Sequence, residues 1–267
     1  MKLHSALLVI GALAVASQGY AYTGSFTDNF DTAGAANWSD PANTDTVIIT
    51  GETAAADSPA YAPLPSDIAA GFNGTGWLRL GTTNAGNFGV TLAIYDALTT
   101  VPPAELRDYT IEADVFVVVD QPTRHHLGLA GHWSPGNGNT VPEFFYSHNT
   151  PGQPNGFGWR SGGMATTFGA FSGLTLSSNQ WVTMRMTFFD AGTRLEVGLD
   201  IDRDGTEEQT QEVTYTASAL SNIEGAAGFF SVVNNPAAGS SAVTSLYSYF
   251  DNFSVTFPAP VQDWSMY

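Results

Sequence analysis

Apolar and polar residues alternate along most of this chain, and helical spacing is almost absent. In Thr110–Val117, Ile111, Ala113, Val115 and Val117 take one face, and Glu112 and Asp114 take the other. Trp181–Phe188 repeats the pattern, with Val182, Met184, Met186 and Phe188 inward. Between Arg194 and Ile201, Leu195, Val197, Leu199 and Ile201 share a face. The same reading predicts strands near 46–50, 77–80, 88–95, 126–133, 143–147, 156–160, 212–216, 226–233 and 248–257. Gly- and Asn-rich turns separate them. Many half-buried strands at this spacing predict an all-β sandwich or jelly roll.

Two stretches are loop-like: 134–156, with Ser134-Pro135-Gly136-Asn137-Gly138-Asn139, and the Ala-, Pro- and Gly-rich 51–76. Strand signals resume after each without a change in composition, so neither reads as a linker. The expectation is one domain over 22–257, followed by a loose tail over 258–267. Residues 1–21 read as a secretory signal: Lys2 and His4, an apolar run from Ala6 to Ala16, then small residues ending at Gly19-Tyr20-Ala21. Cleavage is expected after Ala21, with Ala16 as the second option; the competing reading is a buried N-terminal helix. The run is short for a membrane span, and no other stretch is long enough. The expectation is export to the medium or the cell surface, of bacterial type, with no membrane insertion after cleavage.

Composition narrows the partners. The chain has 267 residues, 25 Asp and Glu against 8 Lys and Arg, and a formal charge of −17. Lys2 is the sole lysine, so cleavage of the signal takes the −17 to −18. Such a surface repels phosphate backbones and anionic lipid, which excludes nucleic acid as an expected partner. With no cysteine, disulfides, thiolate zinc sites and cysteine nucleophiles are excluded.

Three groups of residues carry candidate chemistry. On a continuous strand, Arg124, His126 and His132 would share one sheet face, joined by Tyr146, His148 and Arg160 from neighbouring segments. Such a face suits a carboxylated sugar: arginine neutralises the carboxylate, and a histidine can take the adjacent proton, as lyase chemistry requires. Against this stands the plain reading of exposed polar residues on a sheet. Asp200-Ile201-Asp202-Arg203-Asp204-Gly205, followed by Glu208, has the D-x-D-x-D-G spacing of the first half of a calcium loop. Position 12 is Gln211 and no helices flank the segment, so an EF-hand is not expected; the competing reading is a hairpin turn. Among the aromatic residues, Trp159 beside Arg160 is the expected sugar-stacking ring, whereas Trp133 and Trp181 read as core.

Four segments in order resemble a known family. They are Phe26-Thr27-Asp28-Asn29-Phe30-Asp31 with Trp38; Tyr109–Val115 leading to Leu127-Gly128-Leu129-Ala130-Gly131; Trp181–Met186; and Ala227–Ser231 before Tyr249–Val255. Together they resemble the concanavalin A-like lectin/glucanase superfamily, in its laminin-G-like and exported bacterial jelly-roll branches. The resemblance covers nearly all of the mature chain. It implies two packed antiparallel sheets in a jelly-roll sandwich, one sheet concave and able to hold a glycan. It also implies that acids on the first and last strands, here Asp28, Asp31 and Asp251, share a structural calcium. The glucanase branch carries Glu-x-Asp-x-(x)-Glu on one strand. Glu112-Ala113-Asp114-Val115-Phe116-Val117 lacks the second glutamate, so Glu112 and Asp114 form an incomplete catalytic pair.

The function expected from these observations is calcium-stabilised, non-catalytic binding of an extracellular polysaccharide or glycan. The alternatives are a polysaccharide lyase or glycoside hydrolase on the same fold, using Arg124, His126 and His132 or Glu112 and Asp114, and a structural surface or matrix protein without a small ligand.

Overall fold

A computed structural model describes residues 25–32, 36–40, 46–52, 76–82, 89–119, 125–134, 141–148, 155–160, 168–214, 224–233 and 247–258. The expected signal segment, most of the expected tail and Arg124 lie outside these residues. Among the described residues no helix is long and apolar enough to cross a membrane.

The described chain is mostly strand, in two antiparallel sheets. In chain order the strands are β1 (Ser25–Asp28), β2 (Trp38–Ser39), β3 (Thr46–Glu52), β4 (Trp77–Thr82), β5 (Gly89–Tyr95), β6 (Tyr109–Val117), β7 (His125–Trp133) and β8 (Glu143–His148). There follow β9 (Gly156–Arg160), β10 (Phe168–Ala170), β11 (Gln180–Phe189), β12 (Arg194–Asp200), β13 (Gln209–Thr214), β14 (Ala226–Val233) and β15 (Tyr247–Thr256). One helical turn, Asp96–Thr99, and one 3-10 turn, Pro103–Glu105, link β5 to β6. The first sheet runs β13-β12-β11-β6-β15-β4-β3, with β1 also paired to β15. The second runs β10-β9-β8-β7-β14-β5-β2.

A strand forms near every span expected from alternation. The short strands β2 and β10 carry too few residues to show a period. The core lies between the sheets. Ile111, Val115, Met184, Met186, Val197 and Leu199 face inward from the first sheet, and Leu127, Leu129, Phe144 and Phe229 from the second; all are buried. Phe229 stacks on Phe250 across the gap at 4.2 Å between ring centres. Ser231 and Ser248 pair there through their hydroxyls at 2.8 Å, which satisfies two buried polar groups at once.

Two departures from simple alternation decide where functional groups point. The first is a bulge where β7 meets β14, between the Ala226 and Gly228 pairings, with His132 at φ 52°. His132 is thereby turned into the core against Phe188, with ring centres 3.9 Å apart. His126 lies on the opposite, outward face, opposite Ser147. The expectation that Arg124, His126 and His132 share one face therefore fails for the two described histidines, because the strand is not continuous in register.

The second is a bulge in β15 between the Asp251 and Ser254 pairings, with Asn252 at φ 51°. Beyond it, the outward face of the first sheet carries a satellite cluster of Trp77, Phe116, Val118, Trp181 and Tyr249. Trp181 therefore packs as structure, though in this satellite rather than between the sheets.

A charged cleft on the outward face of the first sheet

Alternation on β6 that buries Ile111, Ala113 and Val115 sends Glu112 and Asp114 outward. The strand register then sets two lateral rows. In one, Asp251, Asp114, Thr183 and Asp200 stand side by side on β15, β6, β11 and β12. In the next, Ser254, Glu112, Arg185 and Gly198 do the same. Gly198 leaves its place in that row open, and the Glu207 carboxylate fills it: a β-carbon on Gly198 would collide with it.

The loop between β12 and β13 closes the other side. Arg203 adopts φ 61° and its amide donates to Asp200 Oδ1 at 2.6 Å. The Gly205 amide, at φ 88°, donates to Asp200 Oδ2 at 2.8 Å. Asp204 caps the Thr206 amide at 2.7 Å, and Glu208 accepts the Ile201 amide at 2.6 Å. These bonds aim Arg203 back over the sheet, where its Nη2 donates to Asp114 Oδ2 at 2.7 Å. Asp114 also accepts from Asn252 at 2.9 Å and from Thr183 at 2.5 Å. Asp114 is therefore buried, with both carboxylate oxygens hydrogen-bonded.

Glu112, Thr183, Arg185, Asp200, Arg203 and Glu207 line a cleft of about 440 Å³. Arg185 is bound by Glu207 at 2.7 Å and Glu196 at 3.0 Å. Burial raises the Glu112 carboxyl above its ordinary range; Arg185 opposes this, and Asp114 and Asp200 reinforce it. Burial raises Glu207 likewise, opposed by Arg185 and reinforced by Glu196, Glu112 and Asp200.

The oxygens of Asp200, Asp202 and Glu208 lie within 4.8 Å of one another. Three anionic oxygen donors at this spacing fit a hard cation such as calcium. Asp204 of the same loop is turned to Thr206 instead. Asp28, Asp31 and Asp251 do not form such a group among the described residues. Asp28 accepts the Phe30 amide at 2.9 Å and the Trp38 indole N–H at 2.9 Å. Asp31 accepts the Gly76 amide at 3.1 Å. Asp251 is buried, and burial, with Asp114 and Asp31 adding, pushes its carboxyl up to about 7 against the pull of the Asn252 amide and Arg203.

The described residues among those expected to contact a sugar lie on the second sheet. His126 is buried between Phe145 and Phe230, with its Nε2 3.7 Å from Glu143. Arg160 is ion-paired to that same Glu143. Tyr146 is buried against Phe157, and half-buried Trp159 packs on Phe171 at 5.3 Å. In His132, Nε2 lies 3.1 Å from the Arg107 carbonyl, and its backbone amide donates to the Tyr109 hydroxyl at 2.7 Å. Burial pushes its imidazole down to about 4, so it is neutral. Glu143 escaped the sequence reading although it is the one acid in the apolar run Val141-Pro142-Glu143-Phe144-Phe145. Burial pushes its carboxyl up to about 7 against the pull of Arg160. Arg185, Arg203 and Glu207 also escaped it, since only strand pairing brings them together.

No protein-family model matches the chain, and neither does any curated protein. Solved structures do match in fold. Peanut lectin, solved with a nine-residue peptide, is 11% identical and aligns over 90% of this chain and 100% of its own, with a TM-score of 0.50. Winged bean acidic lectin in complex with methyl-α-D-galactose aligns over 89% of this chain and 100% of its own, at 10% identity and a TM-score of 0.48. The catalytic domain of a GH131 β-glucanase from Podospora anserina aligns over 70% and 74%, at 14% identity and a TM-score of 0.44. With the two antiparallel sheets described above and the alignment to peanut lectin, the fold of this chain is the concanavalin A-like jelly-roll sandwich.

Proposed function

We propose that this protein is an exported, non-catalytic carbohydrate-binding domain whose ligand sits in the cleft of Glu112, Thr183, Arg185, Asp200, Arg203 and Glu207. The observation that carries this reading is the cleft itself. Fixed carboxylates, guanidiniums and a hydroxyl converge from three strands and one loop on a concavity within the size range of ligand sites. Sugar hydroxyls are recognised by such groups. The expected second-sheet site fits less well, since His126, His132 and Tyr146 are buried. A binding role is favoured over cleavage because Asp114, the expected partner of Glu112, is fully engaged by Arg203, Asn252 and Thr183.

Calcium enters as a structural ion held by Asp200, Asp202 and Glu208. Asp200 is shared by this cluster and the cleft wall, so the ion would stiffen the loop that carries Arg203 and Glu207. Export rests on the residues 1–21 pattern.

A glycan array probed with the purified protein, with and without calcium, tests the reading. Signal on one glycan class, lost in Arg185→Ala, is the expected result. A blank array from folded protein overturns it. Release of reducing ends from the bound glycan would replace the binding role with a hydrolytic one.

A further inference from the structure

The charge balance of the cleft narrows its ligand class, given the reading that it is a glycan site. Five carboxylates, Glu112, Asp114, Glu196, Asp200 and Glu207, stand around two guanidiniums, Arg185 and Arg203, which leaves a formal −3. Both arginines are already committed. Arg185 is held between Glu196 and Glu207, and Arg203 lies on Asp114 with little exposure of either side chain. An anionic sugar would have to draw one of them out of its ion pair and would leave a carboxylate uncompensated.

Glu112 faces the cleft from β6, with Arg185 opposite it in register. Glu207 reaches the same space from the loop over Gly198, and Asp200 from β12. Three carboxylates from three different elements are thus brought together with their repulsion only partly offset. A cation entering between them gains attraction to each and relieves that repulsion.

We propose that the cleft selects oligosaccharides of amino sugars with free ammonium groups, of the glucosamine type, over neutral N-acetylated and over uronate or sulfated chains. The ammonium would lie between Glu112 and Glu207, with ring hydroxyls directed to Thr183 and the arginines.

The test is calorimetric titration of the full protein with three probes: a glucosamine oligomer, its fully N-acetylated counterpart of equal length, and a galacturonate oligomer. Titrations are run in EDTA and again in calcium, at low and high salt. The expected result is binding of the glucosamine oligomer roughly tenfold tighter than of the N-acetylated one, with the margin shrinking in high salt. Glu112→Gln and Glu207→Gln should each weaken the amine ligand by about fivefold, and weaken the N-acetylated ligand less. Equal affinity for the two, tighter binding of galacturonate, or equal losses in the variants would overturn the proposal. So would disappearance of the preference in calcium, which would assign the negative charge to a metal ion. If all three probes fail while another neutral glycan binds, the amine preference is wrong and the glycan site stands. If no glycan binds at all, the site reading itself falls.

Discussion

Arg203 reaches from the β12–β13 loop to Asp114 on β6, donating through Nη2 at 2.7 Å. The contact spans 89 residues of sequence and pins the loop that carries Glu207 to the centre of the first sheet. Both side chains are largely withdrawn from water, at 14% and 8% exposure. Removing one partner from such a pair strands the other charge. Arg203→Ala should therefore cost about 3 kcal/mol of stability, read by urea denaturation. Asp114→Asn in the Arg203→Ala background should recover part of that loss, because it removes the stranded carboxylate. A loss below about 0.5 kcal/mol, the range of ordinary surface changes, would show that the pair does not hold the loop.

Gly198 makes the cleft by having no side chain. A methyl there would occupy the place of the Glu207 carboxylate, which is the end of a flexible side chain and can move. Gly198→Ala should leave the melting temperature almost unchanged, since alanine loses less backbone freedom than glycine inside a strand and only the end of a flexible side chain is displaced. It should also break the Arg185–Glu207 pair, now 2.7 Å long, and weaken glycan binding by about fivefold or more, a typical charged-pair effect. Calorimetry and a thermal melt on the same sample separate the two effects. A large drop in melting temperature with unchanged affinity would contradict this role for Glu207.

The strands were legible because burial on one face writes a period of two into the sequence. Ile111, Ala113, Val115 and Val117 against Glu112 and Asp114 is enough to place β6 and its faces. The site was legible only in pieces. Glu112, Asp114 and Asp200 stand out within their own segments, yet their convergence depends on β6, β11 and β12 pairing in one register. That pairing is a relationship between strands far apart in sequence. The histidine reading failed for a local reason. A bulge adds one residue to a strand and reverses every face beyond it, and nothing in His126–His132 marks where it falls.

His132 offers a clean test of that bulge. Its ring lies on Phe188, and its backbone amide donates to the Tyr109 hydroxyl, which itself donates to the Gly225 carbonyl at 3.1 Å. His132→Ala removes a buried ring and should cost about 3–4 kcal/mol, the usual range for large-to-small core changes. It should also leave glycan affinity per folded molecule unchanged, because the ring sits between the sheets and away from the cleft. Since burial holds the imidazole neutral, pushed down to about 4, its contribution to stability is present above the unfolded value near 6.5 and is lost as pH falls toward 4. The destabilisation caused by His132→Ala should accordingly shrink as pH falls from about 6.5 to about 4 and level off below that. A variant that melts like the parent but loses ligand would place His132 in the binding site.

Asp251 titrates in the opposite sense. It stands beside Asp114 in the β15–β6 register, 1% exposed, with its Oδ1 making no hydrogen bond among the described residues. The charged groups around it are Asp114 on β6, Asp31 after β1, and Arg203 from the β12–β13 loop, and its carboxyl is pushed up to about 7. An acid with a raised folded value binds its proton more tightly in the folded state. Stability from this group is therefore fully present below its unfolded value near 3.8 and is lost as pH climbs to about 7. Asp251→Asn keeps the shape and removes the titration. The variant should gain on the parent as pH rises from about 4 to 7, and the gain should level off above that. Glu143, also pushed up to about 7, titrates in the same window in both proteins and cancels in the difference. Thermal melts of parent and variant across this range decide the matter. A difference that does not change with pH would mean that Asp251 stays ionised in the fold, held by a cation or by Arg203. Repeating the melts with added calcium separates those two, since only a bound ion would raise the parent alone.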